Sequence, residues 1–343
     1  MKIPKSVNAL RQKVMRGLTK DIGRSNFDVS ATINPTEIKR ILINRPNQRL
    51  GNLLMVTPLL TEIERNFPQA KVDIFVKGML APIVFEGFPS VKKCIKLPKK
   101  PFREKIAYTK VWFKLRKNKY DFVINIDGCS SSGRLATKVS RAQFKFFGDL
   151  PDGTCVAEPH MAKFPVVYFR KCMKLLGLEM ENEEIPELDL RLSPEELAHG
   201  KEILDQLKGD KMQVIAIFTF ATGTKNLGAN WWREFYKKLK LAFPDCFILE
   251  ILPAHNQSAL DFEPVGFLSQ DVREIGAVIA NCDVFVGADS GIMHLASASK
   301  VPTIGLFNRD NFKKYLPYGD KDFVVDTNTT SAAEIIELVG GRL

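Results

Sequence analysis

Asp289-Ser290-Gly291-Ile292-Met293-His294-Leu295-Ala296 is the stretch on which the reading of this chain turns. It follows Val284-Phe285-Val286-Gly287-Ala288, a continuous apolar run of the kind found in a strand buried on both faces. A helical pattern over residues 292–299 and a second apolar run over 301–307 come after it. A helix that opens at Ser290-Gly291, at the carboxyl end of such a strand, turns its first N–H groups toward one point. The helix dipole adds positive potential there, so the spot suits a phosphate. Ser290 is a capping residue type, and Gly291 lets a ligand approach the backbone closely. Taken alone, Asp-Ser-Gly fits a plain strand–turn–helix with serine as its cap equally well, and the rest of the chain must choose between the two.

The chain has 343 residues, comfortable for two domains of roughly 100–200 residues each. Its apolar fraction of 45% supplies ordinary cores, and its net charge of +11 favours an anionic partner: nucleic acid, anionic lipid or a phosphorylated small molecule. Six scattered cysteines (94, 129, 155, 172, 246 and 282) form no Cys-x-x-Cys pair, which fits a reducing compartment better than a disulfide framework or a zinc site. The opening Met1-Lys2-Ile3-Pro4-Lys5 lacks the apolar core of a signal peptide. No run approaches the ~18 apolar residues of a membrane span. A soluble, cytoplasmic protein is expected.

Residues 1–24 carry seven Lys/Arg against one Asp, and Val7, Leu10, Val14, Leu18 and Ile22 recur at steps of three and four. That spacing predicts an amphipathic helix with a basic flank. It could lie on an anionic membrane surface, where each basic residue is worth about 1 kcal/mol, or pack on the protein's own body. From residue 38 onward short apolar runs alternate with helical patterns. Strands are expected at 40–44, 72–76 and 121–126, with helices at 58–67, 105–119 and 162–176. A second series follows, with strands at 213–220 and 246–252 and helices at 193–207, 231–243 and 271–281. Such alternation argues for parallel sheets covered on both faces. The halves also echo each other: Asn66-Phe67-Pro68-Gln69 and Ala242-Phe243-Pro244-Asp245 each read as a helix end, a Phe-Pro turn and a strand. The expected layout is a basic segment over 1–36, a Rossmann-like domain over 37–190 and a second over 191–343, connected at about 179–211. Ligands of such sheets sit beyond the carboxyl ends of the strands, so two facing domains place a site in the cleft between them.

Between Lys92 and Lys119 there are twelve Lys/Arg and one acid, Glu104, with Phe102, Tyr108, Trp112 and Phe113 among them. An anionic acceptor or a membrane surface would suit this stripe, as would plain solvation; nucleic acid is the least favoured partner, because no recognised module accompanies it. Asp320-Lys321-Asp322 is the chain's Asp-x-Asp. Split by a lysine beside a Tyr-Gly turn, it reads as a surface turn, and no metal is expected.

With both halves in view, a resemblance emerges. Ile41-Leu42-Ile43-Asn44-Arg45 with Leu50-Gly51-Asn52-Leu53-Leu54-Met55-Val56-Thr57-Pro58 resembles the opening of the family 9 glycosyltransferases, the bacterial lipopolysaccharide heptosyltransferases. The segment around Asp289-Ser290-Gly291, with Lys300-Val301-Pro302-Thr303 behind it, resembles their C-terminal motif, and Asp121-Phe122-Val123-Ile124-Asn125-Ile126-Asp127-Gly128 a looser third element. The resemblance implies an α/β, GT-B architecture of two Rossmann-like domains. It also implies inverting transfer of a heptose from an ADP-linked donor to the lipid A–core saccharide. Carried over, Ser290 and Gly291 would offer N–H groups to the diphosphate, Asp289 would meet sugar hydroxyls, and His294 would lie one turn away. Thr219-Phe220-Ala221-Thr222-Gly223-Thr224-Lys225 resembles the first C-domain loop, where Thr222, Thr224 or Lys225 could reach phosphate oxygens.

Two departures stand out. Asn52 occupies the position of the family's general base, an aspartate, and an amide is not basic near neutral pH. Ala229-Asn230-Trp231 stands where the family often has Lys before Trp, leaving Lys225 as the nearest substitute. Asp127, at the end of the third strand, is a candidate replacement base, or else caps the Ser130 turn through its own side chain. The sequence thus predicts a glycosyltransferase with no resident cofactor, its partners being a nucleotide sugar, a lipid-linked anionic saccharide and the anionic inner-membrane surface, peripheral to which it would sit in the cytoplasm. A catalytically silent relative that binds a nucleotide sugar or glycan is the alternative that Asn52 favours. A dinucleotide oxidoreductase is disfavoured, because no Gly-x-Gly-x-x-Gly follows a predicted strand.

Overall fold

The computed structural model describes residues 22, 23, 25, 33–98, 104–150, 156–180, 184–310 and 312–343. The helix expected over 1–24 and Phe102 of the basic stripe fall outside them, apart from Ile22 and Gly23. The first lobe runs β1 (Arg40–Asn44), α1 (Leu50–Leu54), α2 (Thr57–Asn66), β2 (Lys71–Lys77), α3 (Ala81–Val84) and β3 (Val91–Leu97). It continues with α4 (Lys105–Lys117), β4 (Lys119–Asn125), α5 (Ser131–Val139), β5 (Arg141–Phe146) and α6 (Lys163–Leu175). The second lobe runs α7 (Pro194–Lys208), β6 (Val214–Phe218), α8 (Ala229–Ala242), β7 (Phe247–Ile251), β8 (Val265–Phe267) and α9 (Val272–Ala280). It ends with β9 (Val284–Ala288), α10 (Gly291–Ala298), β10 (Thr303–Phe307), β11 (Phe323–Asp326) and α11 (Ala332–Gly340).

The first sheet has the order β3-β2-β1-β4-β5 and the second β11-β10-β9-β6-β7-β8, and their pairings are parallel. The central strands are apolar nearly throughout and buried along their length, as strands covered by helices on both faces must be. In each sheet the direction of winding reverses beside the lobe's first strand: between β1 and β4, and between β6 and β9. A crevice opens at such a reversal, beyond the carboxyl ends of the strands.

The repeated Phe-Pro turns are close copies. Phe67 ends α2 at φ −134°, ψ 65°, and Phe243 ends α8 at φ −129°, ψ 66°. Each donates its N–H four residues back, and each accepts a bond from the residue three further on, which immediately precedes the next strand.

Three contacts stitch the connection between the lobes to both of them. Leu190 N donates to Ala298 O at 2.9 Å, Asp189 N donates to Thr57 Oγ1 at 3.1 Å, and Arg191 pairs with Glu64 at 2.6 Å. Ser193 then starts α7 with a capping box, its hydroxyl on Glu196 N and the Glu196 carboxylate on its own N–H. That carboxylate also receives the buried Arg273 of α9, whose remaining N–H groups reach Leu190 O, Arg191 O and, from the first lobe, Ile83 O. No described helix is long and apolar enough to cross a membrane.

Removing the buried Arg273 strands the half-buried Glu196 carboxylate and three carbonyl oxygens at once. Arg273→Ala should cost about 3–5 kcal/mol, read as a lower urea midpoint, whereas Arg233→Ala, at a surface pair, should cost under about 1 kcal/mol.

Candidate functional site

The residues singled out in the sequence gather at the two reversal points. In the first lobe, β1 delivers Arg45 and β4 delivers Asp127. Arg45 is buried, and its guanidinium bridges two side chains: Nη1 donates to Asp127 Oδ2 at 2.9 Å and Nη2 to Asn52 Oδ1 at 2.7 Å. Burial presses its pKa below the usual arginine value, opposed by Asp127, by Tyr315 and by the hydrogen bond to Asp127. An arginine remains charged in any such setting. One cation therefore joins the amide at the family's base position to the carboxylate proposed to replace it. The Asp127 side chain is 33% exposed and does not cap the next turn; Ser130 does that, accepting from Gly133 N.

In the second lobe, β6 leads into the exposed loop holding Thr222, Gly223 and Thr224. Gly223 has φ +67° with open space around it, a backbone that glycine adopts without strain. Lys225 turns back from this loop to meet Asp289, at the end of β9, with Nζ to Oδ2 at 2.7 Å. Asp289 is 5% exposed, so its carboxylate is committed to that lysine. Ser290 caps α10 by accepting from Met293 N at 3.2 Å, which leaves the N–H groups of Gly291 and Ile292 outside the helix's own ladder. Thr222 and Thr224 stay at the rim; Thr224 O takes a 3.0 Å bond from Asn308.

His294 lies fully buried one turn into α10. Burial, with His160 and Lys225 nearby, pulls its pKa down to about 3, and Nδ1 has no hydrogen-bond partner. The imidazole is therefore neutral at working pH.

The two halves of the site meet through glycines. A methyl group added to Gly51 of α1 would come within 2.6 Å of His294 Cδ2 and 3.5 Å of Gly291 Cα. One added to Gly291 would meet Leu50 Cβ at 3.1 Å and Gly51 N at 3.3 Å. The openings of α1 and α10 thus face each other with almost no side chain between them. Tyr315 addresses both lobes: it acts electrostatically on Arg45, and Lys225 Nζ sits 5.6 Å from its ring centre.

Sequence reasoning gave Arg45, Tyr315 and His160 no role. Arg45 lies within the quoted opening motif, so its position directly after a buried strand was the available signal. His160 Nε2 faces Leu316 O at 3.1 Å, and its ring packs on Tyr318, tying the first lobe to the segment that carries Tyr315.

The Asp-x-Asp differs from the surface turn expected. Asp322 is turned inward, accepting from the Ser297 hydroxyl of α10 and from Thr303 N at 3.1 Å, while Asp320 is exposed. The two carboxylates serve different neighbours.

A family model described as "Glycosyltransferase family 9 (heptosyltransferase)" matches residues 260–337, which hold β9, the Asp289-Ser290-Gly291 turn and α10. The likeness extends to both lobes: the chain is 25% identical over 285 residues to lipopolysaccharide heptosyltransferase 1 of Campylobacter coli, covering 75% of this chain and 81% of that protein. The chain is thus similar to the family 9 heptosyltransferases over both lobes. A second relative, lipopolysaccharide heptosyltransferase 3 of Escherichia coli, is 25% identical over 297 residues, 79% of this chain and 84% of that protein. The solved structure of E. coli heptosyltransferase WaaC with ADP shares the fold, with a TM-score of 0.68 at 18% identity over 89% of this chain and 100% of that one. The chain therefore has the GT-B fold, two parallel α/β sheets with the residues described above gathered at their reversal points.

Two outcomes follow. Gly51→Ala should wedge α1 from α10 and cost about 1–3 kcal/mol, checked by chemical denaturation. Burial pushes the Asp322 carboxyl up to about 7 from an ordinary 3.8, against the bonds from Ser297 and Thr303. A raised acid stabilises the fold below its unfolded value and loses that contribution as pH rises through the folded one. Stability should thus fall between 3.8 and about 7, and Asp322→Asn should flatten that slope in urea titrations across this range.

Proposed function

We propose that the chain transfers a heptose, with inversion, from a nucleotide-diphosphate donor (ADP-heptose first) to a lipopolysaccharide core or similar lipid-linked anionic saccharide. The observation that carries this reading is the convergence of an ion-paired carboxylate, Asp127, and an open helix terminus at Gly291 on the two facing reversal points. The Gly291 and Ile292 N–H groups, with Lys225, would hold the diphosphate and take up the charge that develops as it leaves. Thr222 and Thr224, on the exposed loop, would add hydroxyl contacts to its oxygens. Asp289 would fix Lys225 and border the sugar, and His294 would give the neutral wall behind them.

In the step itself the acceptor oxygen attacks the anomeric carbon from the face opposite the diphosphate. The carbon–oxygen bond to the diphosphate breaks, the nucleotide departs with that electron pair, and Asp127 takes the acceptor's proton. A single displacement of this kind inverts the anomeric centre. Arg45 positions Asp127, and Asn52 occupies the other side of the same cation. No step calls on a resident cofactor or metal. The enzyme would act in the cytoplasm at the anionic inner-membrane surface, where its acceptor resides.

Asn52 also supports a second reading, a silent relative that binds the nucleotide sugar without turning it over. Calorimetry against ADP-, GDP-, UDP- and dTDP-sugars, followed by transfer assays with heptose-deficient core acceptors, separates the two: binding without turnover leaves the silent reading standing. Asp127→Asn should lower kcat by about 10²–10⁴ at unchanged donor affinity, and wild-type rates would remove it as the base.

A further inference from the structure

The outer face of α4 has the composition of a membrane-docking surface. Tyr108, Val111, Trp112 and Leu115 turn inward, Leu115 fully buried and the Trp112 ring tilted against Phe75 of the sheet with centroids 5.8 Å apart. Of the aromatic residues in the basic stripe, Tyr108 and Trp112 therefore belong to the core and Phe113 does not. Ile106, Lys110, Phe113 and Lys117, at steps of four, three and four, form the opposite ridge. Ile106 is 73% and Phe113 69% exposed, on a helix with no acid among residues 105–117.

Positive charge surrounds this ridge. On one side Lys93 of β3 sits beside Lys114. On the other, Arg116 leads into a groove shared with Lys138, Arg141 and Lys145, where Lys145 Nζ finds only the Lys138 carbonyl, at 3.0 Å, among its described hydrogen-bond partners. No acid occurs among residues 131–146 either.

We infer that α4 docks this protein on an anionic lipid surface, with Ile106 and Phe113 entering the acyl boundary and the lysines and arginines around them meeting lipid phosphates. Charge complementarity selects an anionic partner, and two exposed apolar side chains at the centre of the charge select lipid over nucleic acid: an isoleucine has no ring to stack on a base, whereas a basic helix with an apolar ridge lies naturally in the headgroup plane. The inference rests on the proposed lipid-linked acceptor only in giving the docked protein something to act on.

The test is co-sedimentation of the full chain with vesicles of phosphatidylglycerol and phosphatidylethanolamine, and with phosphatidylcholine alone, without donor or acceptor. Ile106→Ser with Phe113→Ser, and separately Lys110→Glu with Lys117→Glu, should each weaken binding to the anionic vesicles about tenfold or more. Lys237→Glu with Lys238→Glu, the same charge change on α8, should not. Far-ultraviolet circular dichroism checks that each variant is folded, and transfer to a delipidated, water-soluble acceptor should stay at the wild-type rate. A wild-type chain that ignores anionic vesicles would overturn the inference, as would ridge variants that bind like wild type. So would binding that depends on the lysines alone and carries over to duplex DNA, or a Phe113→Ser change that merely splits a dimer on a sizing column. Vesicle binding without any sugar transfer would instead fault the proposed reaction and leave this surface standing.

Discussion

The close approach of α1 and α10 is the constraint on which the rest of the architecture depends. Each helix opens directly after a reversal point of its own sheet, and each presents a glycine at the contact, Gly51 against Gly291 and His294. Backbone meets backbone there, so the N–H groups of one lobe and the polar residues of the other share a single crevice. Any side chain at either position would hold the lobes further apart and widen the crevice between them.

That seam needs support elsewhere, because two short helices cannot orient two lobes. Arg273 provides it by gathering the capping box of α7, the strand-like connection at Leu190-Arg191 and the Ile83 carbonyl around one guanidinium. The buried Glu62, held by Arg170, fastens α6 onto α2 within the first lobe. Polar groups thus reinforce a joint that is also apolar, since one hydrophobic cluster runs from the first lobe into the second and separate clusters fill the far side of each sheet.

Legibility in the sequence followed burial. Strands covered on both faces, such as β1, β6, β9 and β10, announce themselves as unbroken apolar runs, and the capped helix α7 by Ser-Pro-Glu-Glu. The edge strands β3 (Val-Lys-Lys-Cys-Ile-Lys-Leu) and β5 (Arg-Ala-Gln-Phe-Lys-Phe) carry charges on a solvated face, so periodicity alone passes over them. The helix α1 is too short to leave a periodic trace. Within the site, the Lys225 and Asp289 positions came from motif resemblance, but their pairing joins residues 64 positions apart and no local pattern encodes it. The same holds for Arg45, whose two partners arrive from different elements, and for the inward turn of Asp322.

The arrangement around Arg45 has an electrical consequence. A guanidinium flanked by one carboxylate and one amide is a neutral assembly, whereas two carboxylates would leave a net negative charge in the wall of a crevice suited to a doubly charged pyrophosphate. In the proposed reaction, asparagine at position 52 moves the proton-accepting oxygen from one side of the cation to the other, and the Arg45 cluster keeps its electroneutrality.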